Sequence, residues 1–241
     1  MICLQTLFVK GRELMKKTYF FLLFLFLASL GQAATIFISA QSTGNQNYGS
    51  HLGHDFVVNQ AIQINKLGAF DHGLNGIFNT ITVQVWQRDN NNTGTRSDDK
   101  AMILTSMTFT AGDQGILAAG SSYRFKSLTT PIILNPGEYT ITAYGFNATD
   151  YNGNYTCGNM AAPSYQNGSG LITYLGDRYG GTAGTSDFQT IGGSIWSSSP
   201  YLIFASGNIE FEAASVPETS SFLFLLACAI SLLALKYQKL F

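Results

Sequence analysis

Apolar and polar residues in the middle of this chain alternate with a period of two, and no stretch there repeats with the three-to-four-residue spacing of an amphipathic helix. In Ile81-Thr82-Val83-Gln84-Val85-Trp86 the branched residues share one face and the polar ones mostly the other. Tyr123 and Phe125 alternate with Arg124 and Lys126, Tyr139, Ile141 and Ala143 with Thr140 and Thr142, and Ile209 and Phe211 with Glu210 and Glu212. Each run is expected to lay one face on a core. Residues 102–109 form a further strand after the polar loop 89–100, and Asn135-Pro136-Gly137 is the turn between residues 132–134 and Tyr139. From residue 150 to 193 Gly, Asn, Ser and Tyr dominate, with one clear strand at 171–175, so this region is read as long loops, which are either mobile or functional. Many short strands separated by turns make the expected fold all-β, a two-sheet antiparallel β-sandwich of jelly-roll-like arrangement, with an up-and-down barrel as the alternative.

The two ends are of another kind. Met15-Lys16-Lys17 opens a basic region, residues 19–30 are almost wholly apolar, and Gly31-Gln32-Ala33 supplies small residues for cleavage. Residues 1–33 are therefore read as a signal peptide cut by signal peptidase after Ala33, with Met15 as an alternative start of translation. Its apolar stretch is well short of the ~20 residues of a spanning helix. At the other end residues 222–235 are apolar and are followed by Lys236 and Lys239. At 1.5 Å per residue that run covers roughly 21 Å of a ~30 Å hydrocarbon core. Extended to a transmembrane helix over 220–235, it spans marginally, with its cations in the cytoplasm and the globular part outside.

Val216, Pro217 and Glu218, the apolar helix and the basic tip together resemble the PEP-CTERM tail that bacterial exosortases recognise and remove. Thr219 stands where that pattern has a second proline, and Lys236-Tyr237-Gln238-Lys239 is less basic than its arginine cluster. The resemblance implies an exosortase-type processing partner, a membrane attachment through the C-terminal helix before processing, and a place at the cell envelope or outside the cell. An ordinary uncut anchor is the alternative. A second resemblance covers roughly residues 53–141. Leu67-Gly68-Ala69-Phe70-Asp71, Gly73-Leu74-Asn75-Gly76, Val83-Gln84-Val85-Trp86, Tyr123-Arg124-Phe125 and Leu134-Asn135-Pro136-Gly137-Glu138-Tyr139-Thr140-Ile141 are similar to an all-β ectodomain, of no assigned activity, found in front of such tails. The implied layout is a signal peptide at 1–33, an ectodomain at 34–215 and a sorting tail at 216–241.

Between residues 34 and 216 there are seven cations and twelve anions, a formal balance of −5 (7 minus 12), although the whole chain carries −1. An acidic exported domain argues against nucleic acid, whose phosphates call for Lys and Arg. Cys157 is the single cysteine of that segment, so no internal disulfide can form there, and a buried or inert thiol is expected.

Few constellations could carry chemistry. His51, His54 and His72 lie near Asp55 and Asp71, but His51 and His54 are three apart, which on a strand sends them to opposite faces, so surface or turn histidines are expected and no metal site. The loops 89–99 and 150–154 hold the oxygen donors calcium favours without its twelve-residue pattern, and plain turns are the other reading. Glu210 and Glu212 share a strand face, the minimum for a glycoside hydrolase, or they are a solvated face of the last strand. No Gly-x-Ser-x-Gly elbow, P-loop or dinucleotide fingerprint occurs. Tyr151, Tyr155, Tyr174, Tyr179 and Trp196 sit in or beside the long loops, where rings could stack on sugars or simply fill the core. The expectation is an exported, non-enzymatic envelope or matrix protein with extracellular polysaccharide as its candidate ligand. A secreted carbohydrate-active enzyme is the alternative.

Overall fold

The structure, a computed structural model, describes residues 34–40, 43–89, 100–158, 160–184, 194–195 and 204–215. The signal segment, the Asn-rich part of loop 89–99, Trp196 and the tail with Val216, Pro217, Glu218 and helix 220–235 lie outside those residues.

The period-two runs do form strands, and every pairing is antiparallel. In chain order they are β1 (Thr35–Ile36), β2 (Ile38–Ser39), β3 (His51–Val58), β4 (Ile62–Phe70), β5 (Ile81–Asp89), β6 (Lys100–Phe109), β7 (Ile116–Leu117), β8 (Tyr123–Leu134), β9 (Gly137–Tyr144), β10 (Gly153–Asn154), β11 (Ser164–Tyr165), β12 (Ile172–Gly180), β13 (Ser194–Ile195), β14 (Phe204–Ala205) and β15 (Gly207–Ala213). Two single-turn 3-10 segments, His72–Leu74 and Tyr155–Cys157, complete the regular structure, and no α-helix occurs among the described residues. A five-stranded sheet runs β1-β15-β4-β8-β7 and a six-stranded sheet β13-β12-β3-β9-β5-β6.

One cluster of buried side chains takes residues from both sheets. Ile62, Ile64, Leu67, Phe125, Ile209 and Phe211 come from the first, and Phe56, Val58, Ile81, Val83, Val85 and Ile141 from the second. A fully buried side chain of this size contributes about 1.5–3 kcal/mol relative to exposure. Burial of this kind, with no internal cross-link, holds the strands together.

The alternation is obeyed on the core side but carries a different meaning on the other face of each sheet. On the five-stranded sheet the outward residues Lys66, Arg124, Lys126, Glu210 and Glu212 are half-buried, as a solvated face should be. On the six-stranded sheet Asp55, Thr140, Thr142, Trp86, Arg88 and Arg178, which occupy the equivalent outward positions, are 0–5 % exposed. Around β3 and β9 and the adjoining parts of β5 and β12, that sheet is buried on both faces. Gly53 lies in this packed region for a steric reason: a Cβ there would stand 2.0 Å from the Ile141 carbonyl oxygen of the neighbouring strand.

Three expectations are corrected. His51 and His54 lie on opposite faces, but both are 0 % exposed rather than on the surface, because each has a hydrogen-bond partner inside. The strand expected at 171–175 continues to Gly180, since a bulge between Tyr174 and Gly176 restores its pairing with β3. Cys157 is exposed, in the 3-10 turn, rather than buried.

Candidate functional site

Four of the chain's sparse charged residues, Asp55, Arg88, Glu138 and Arg178, meet on the six-stranded sheet. The register places Asp55 opposite Thr140 and Arg178 opposite Gly53, which brings Arg178 across to Asp55. The Arg178 guanidinium donates from Nε to Asp55 Oδ1 (3.0 Å) and from Nη2 to Oδ2 (2.9 Å), a two-pronged contact. Thr140 Oγ1 donates to the same carboxylate, Arg88 Nη1 stands 3.6 Å from it, and Arg88 also donates to Glu138 Oε2 (2.8 Å). Two guanidiniums thus face two carboxylates. Burial by itself would raise the Asp55 pKa, but Arg178, Arg88 and the hydroxyl of Thr140 together outweigh it and hold the carboxyl below its ordinary value. Beside this network, Trp86 Nε1 donates to Thr142 Oγ1 (3.0 Å), whose hydroxyl lies 3.3 Å from His51 Nδ1. Burial lowers the His51 pKa to about 4, partly opposed by the Thr182 backbone, so the ring is neutral at physiological pH.

On the core side of the same sheet, Asp177 accepts from His54 Nδ1 (2.7 Å) and from Tyr174 Oη (2.8 Å). Burial and the negative charges of Asp177 and Asp55 push the Tyr174 phenol far up, so it stays a hydrogen-bond donor. Tyrosine, carboxylate and imidazole in a row have the components of a proton relay, yet His54 and Asp177 are sealed in the core with no opening to substrate.

The residues singled out by sequence scatter. Tyr151 meets His72 edge-on, with ring centroids 5.0 Å apart, Tyr174 is engaged as above and packs on Tyr165, and Tyr179 leans on Phe204. Tyr155 and Tyr179 are the exposed members, on different elements. Glu210 pairs across the strands with Lys66 (2.9 Å), and Glu212 accepts from Asn65 Nδ2 (2.9 Å), both on the outer face of the five-stranded sheet. In loop 150–154, Asp150 is the anchor of a neighbouring turn: its carboxylate accepts from Phe78 N (3.0 Å), Asn79 N (2.6 Å) and Asn79 Nδ2 (2.9 Å). N–H donors therefore surround this carboxylate. No group of three or more His, Cys, Asp or Glu suited to a metal occurs among the described residues.

A cavity of about 560 Å³ opens to solvent and is lined by Thr43, Gly73, Leu74 and residues 117–122. Among the described residues, its lining contains no ionisable side chain. Two walls face each other there, the turn following Asp71 and the hairpin between β7 and β8, and Asp71 ties them together. Its backbone N–H donates to Ser122 O (2.8 Å), its carboxylate accepts from Gly76 N (3.1 Å) and from Arg124 Nε (2.6 Å), and its carbonyl accepts from Leu74 N (3.3 Å). The sequence reading missed this place. Gly73-Leu74-Asn75-Gly76 was visible as a phrase, but nothing in it indicates that a loop some forty residues further on would face it. Arg178 was legible only as one of few cations, with no sign of its partner 123 positions away. Compared with protein-family models, curated proteins and solved structures, the chain matches none of them.

Proposed function

We propose that this is an exported, non-enzymatic protein of the cell envelope or extracellular matrix, a two-sheet, jelly-roll-like β-sandwich that is sorted through its C-terminal tail and binds extracellular polysaccharide. Signal peptidase and an exosortase-type enzyme process its ends, and the C-terminal helix holds it in the membrane until then. The shared core drawn from both sheets, and a chain that crosses between them from β3 to β4 and again from β4 to β5, favour the sandwich. The observation that carries the functional reading is the separation of charge from access. Asp55, Asp71, Asp150 and Asp177 are each held by fixed donors, while the open cavity offers hydroxyls, backbone and apolar side chains. General acid and base catalysis needs the reverse, an ionisable group exposed to the substrate. Glu210 and Glu212, the rival catalytic pair, are tied to Lys66 and Asn65 away from the cavity, which weakens the enzymatic alternative.

A glycan array probed with the intact protein tests the binding, and reproducible capture of at least one polysaccharide is expected. Capture of none, together with turnover of a glycoside that Glu210→Gln abolishes, would replace the proposal by its rival. Intact-mass measurement from the native host tests the sorting: loss of everything beyond the Val216-Pro217-Glu218 motif is expected, and retention through Phe241 would remove the processing step.

A further inference from the structure

The path of the last strand decides from which end of the fold the tail leaves. β15 runs antiparallel to β4, with Gly207 opposite Ala69 and Ala213 opposite Ile62, and Ala214 N still donates to Ala61 O (2.9 Å). The chain therefore emerges beside the β3–β4 connection, residues 59–61. The first strand begins at the same end, since Thr35 stands opposite Phe211 and Ile36 opposite Glu210. The β8–β9 connection lies there too, because Leu134 is opposite Ile62 and Gly137 opposite Val58. Residues 167–171 belong to this end as well: Asn59 N donates to Leu171 O (2.8 Å) and Asn59 Nδ2 to Gly170 O (2.9 Å). The β5–β6 connection also leaves here and lies outside the described residues.

From this end to the apolar tail is a short step. Between Ala214 and the helix read at 220–235 stand Ser215 to Thr219, which fully extended span at most about 18 Å. β4 is nine residues long and carries the fold about 30 Å away in the other direction, to the Asp71 turn. Charge is distributed in the same sense. The connections 59–61, 135–136 and 167–171 hold Asn, Gln, Ala, Pro, Gly, Ser and Leu, with no ionisable side chain, whereas Asp71, Asp113 and Asp150 belong to the far end. A segment with a formal balance of −5 meets an anionic lipid surface at least cost through the end whose described connections carry no charge.

We infer that, while the tail is in the membrane, the domain stands on it end-on: connections 59–61, 135–136 and 167–171 face a phospholipid headgroup surface, and the cavity beside the β7–β8 hairpin points away from it. The amide and hydroxyl side chains of these connections can hydrogen-bond to headgroup phosphates and esters without needing a counter-ion. In this orientation the Val216-Pro217-Glu218 motif, which begins three residues beyond Ala213, lies between the folded end and the bilayer. A processing enzyme then works within that gap. The inference rests on the reading of 220–235 as a membrane anchor, and it adds which surface of the domain meets the membrane.

The test is energy transfer from a dye on a single cysteine to a rhodamine-labelled lipid, with the full chain reconstituted in vesicles of phosphatidylcholine containing a quarter phosphatidylglycerol. Cys3→Ser and Cys228→Ser leave Cys157, which is exposed and follows β10, the partner of β14 just before Gly207, and so reports on the far end. Adding Cys157→Ser with either Gln60→Cys or Asn135→Cys, both at exposed positions, moves the dye to the near end. The near-end dyes are expected to approach the lipid more closely than the dye on Cys157 by about 20–30 Å. Two near-end sites on separate connections keep one misfolded variant from deciding the result. Equal transfer from all three positions, as for a domain lying on its side, or stronger transfer from Cys157, would overturn the orientation while leaving the anchor reading intact. Flotation of the vesicles checks that reading separately: the full chain is expected to float with them and a chain ending at Ser215 to stay behind. A full chain that does not float would remove the anchor and the orientation with it.

Discussion

Asp55 is the residue on which most of the buried charge depends. Its carboxylate is the shared partner of Arg178 and Thr140 and lies within reach of Arg88. Replacing it by Ala leaves two guanidiniums short of a counter-charge in a dry environment, for which the expected loss is about 3–5 kcal/mol, read as a lower urea midpoint at unchanged m-value. The same neighbourhood sets a pH dependence whose sign follows from two depressed values. His51 titrates near 6.5 when unfolded and at about 4 when folded, so the unfolded state takes up its proton first and stability erodes as pH falls from 6.5 towards 4. Asp55, also depressed in the folded state, adds stability that is present above its ordinary value of about 3.9 and lost below it. A thermal melt series from pH 8 to pH 3 is therefore expected to be flat above about pH 7 and to decline in two stages. In His51→Gln the upper stage should disappear while the lower remains. A decline that begins at the same pH in both proteins would show that His51 is not neutral in the fold.

At the scale of elements, charge pairs of similar geometry differ in value because of where their strands lie. Lys66 and Glu210 face each other across β4 and β15 at 2.9 Å, on a face that water reaches. Solvent screens such a pair, and Glu210→Gln is expected to change stability by less than about 1 kcal/mol, an effect that 1 M salt should largely erase. Double replacement of Glu210 and Glu212 should leave the melting cooperative. The alternation in β15, β8 and β4 was legible in the sequence because one face is apolar and the other is wetted, so polarity reports direction. In β5 and β9 it was legible for the core face alone. Thr140, Thr142 and Trp86 read as outward residues and are outward, but they are buried, which a period of two cannot reveal. The extension of β12 was hidden for a related reason. Gly176-Asp177-Arg178 looks like a loop by composition, and it becomes a strand because Asp177 and Arg178 find partners on β3, one on each face.

Across the whole molecule, the described core residues run from Phe37 to Phe211, inside the segment 34–215 that the sequence marks as the ectodomain. A fragment with those limits is expected to fold without either end and to unfold in one cooperative transition. Reductant should leave its midpoint unchanged, because Cys157 is the single cysteine in it and is exposed. A chelator should also leave it unchanged, because the Asp150 carboxylate is surrounded by N–H donors. A drop of several degrees with EDTA would point to a cation that holds the fold. If the fragment failed to melt cooperatively, one of the two terminal segments would have to be part of the folded unit.

Local sequence is enough to make residues 34–215 a set of antiparallel strands, to place most of them, and to say which side of each meets the core. Those are local properties: alternation, turn residues and β-branching act between neighbours a few positions apart. Long-range packing is what buries the second face at the centre of the six-stranded sheet, joins Asp55, Arg88 and Arg178 in one network, and sets the Asp71 turn and the β7–β8 hairpin around a cavity. Each of those depends on residues tens of positions apart meeting across strands, and the energy of such a meeting belongs to the pair. No single stretch of sequence carries it.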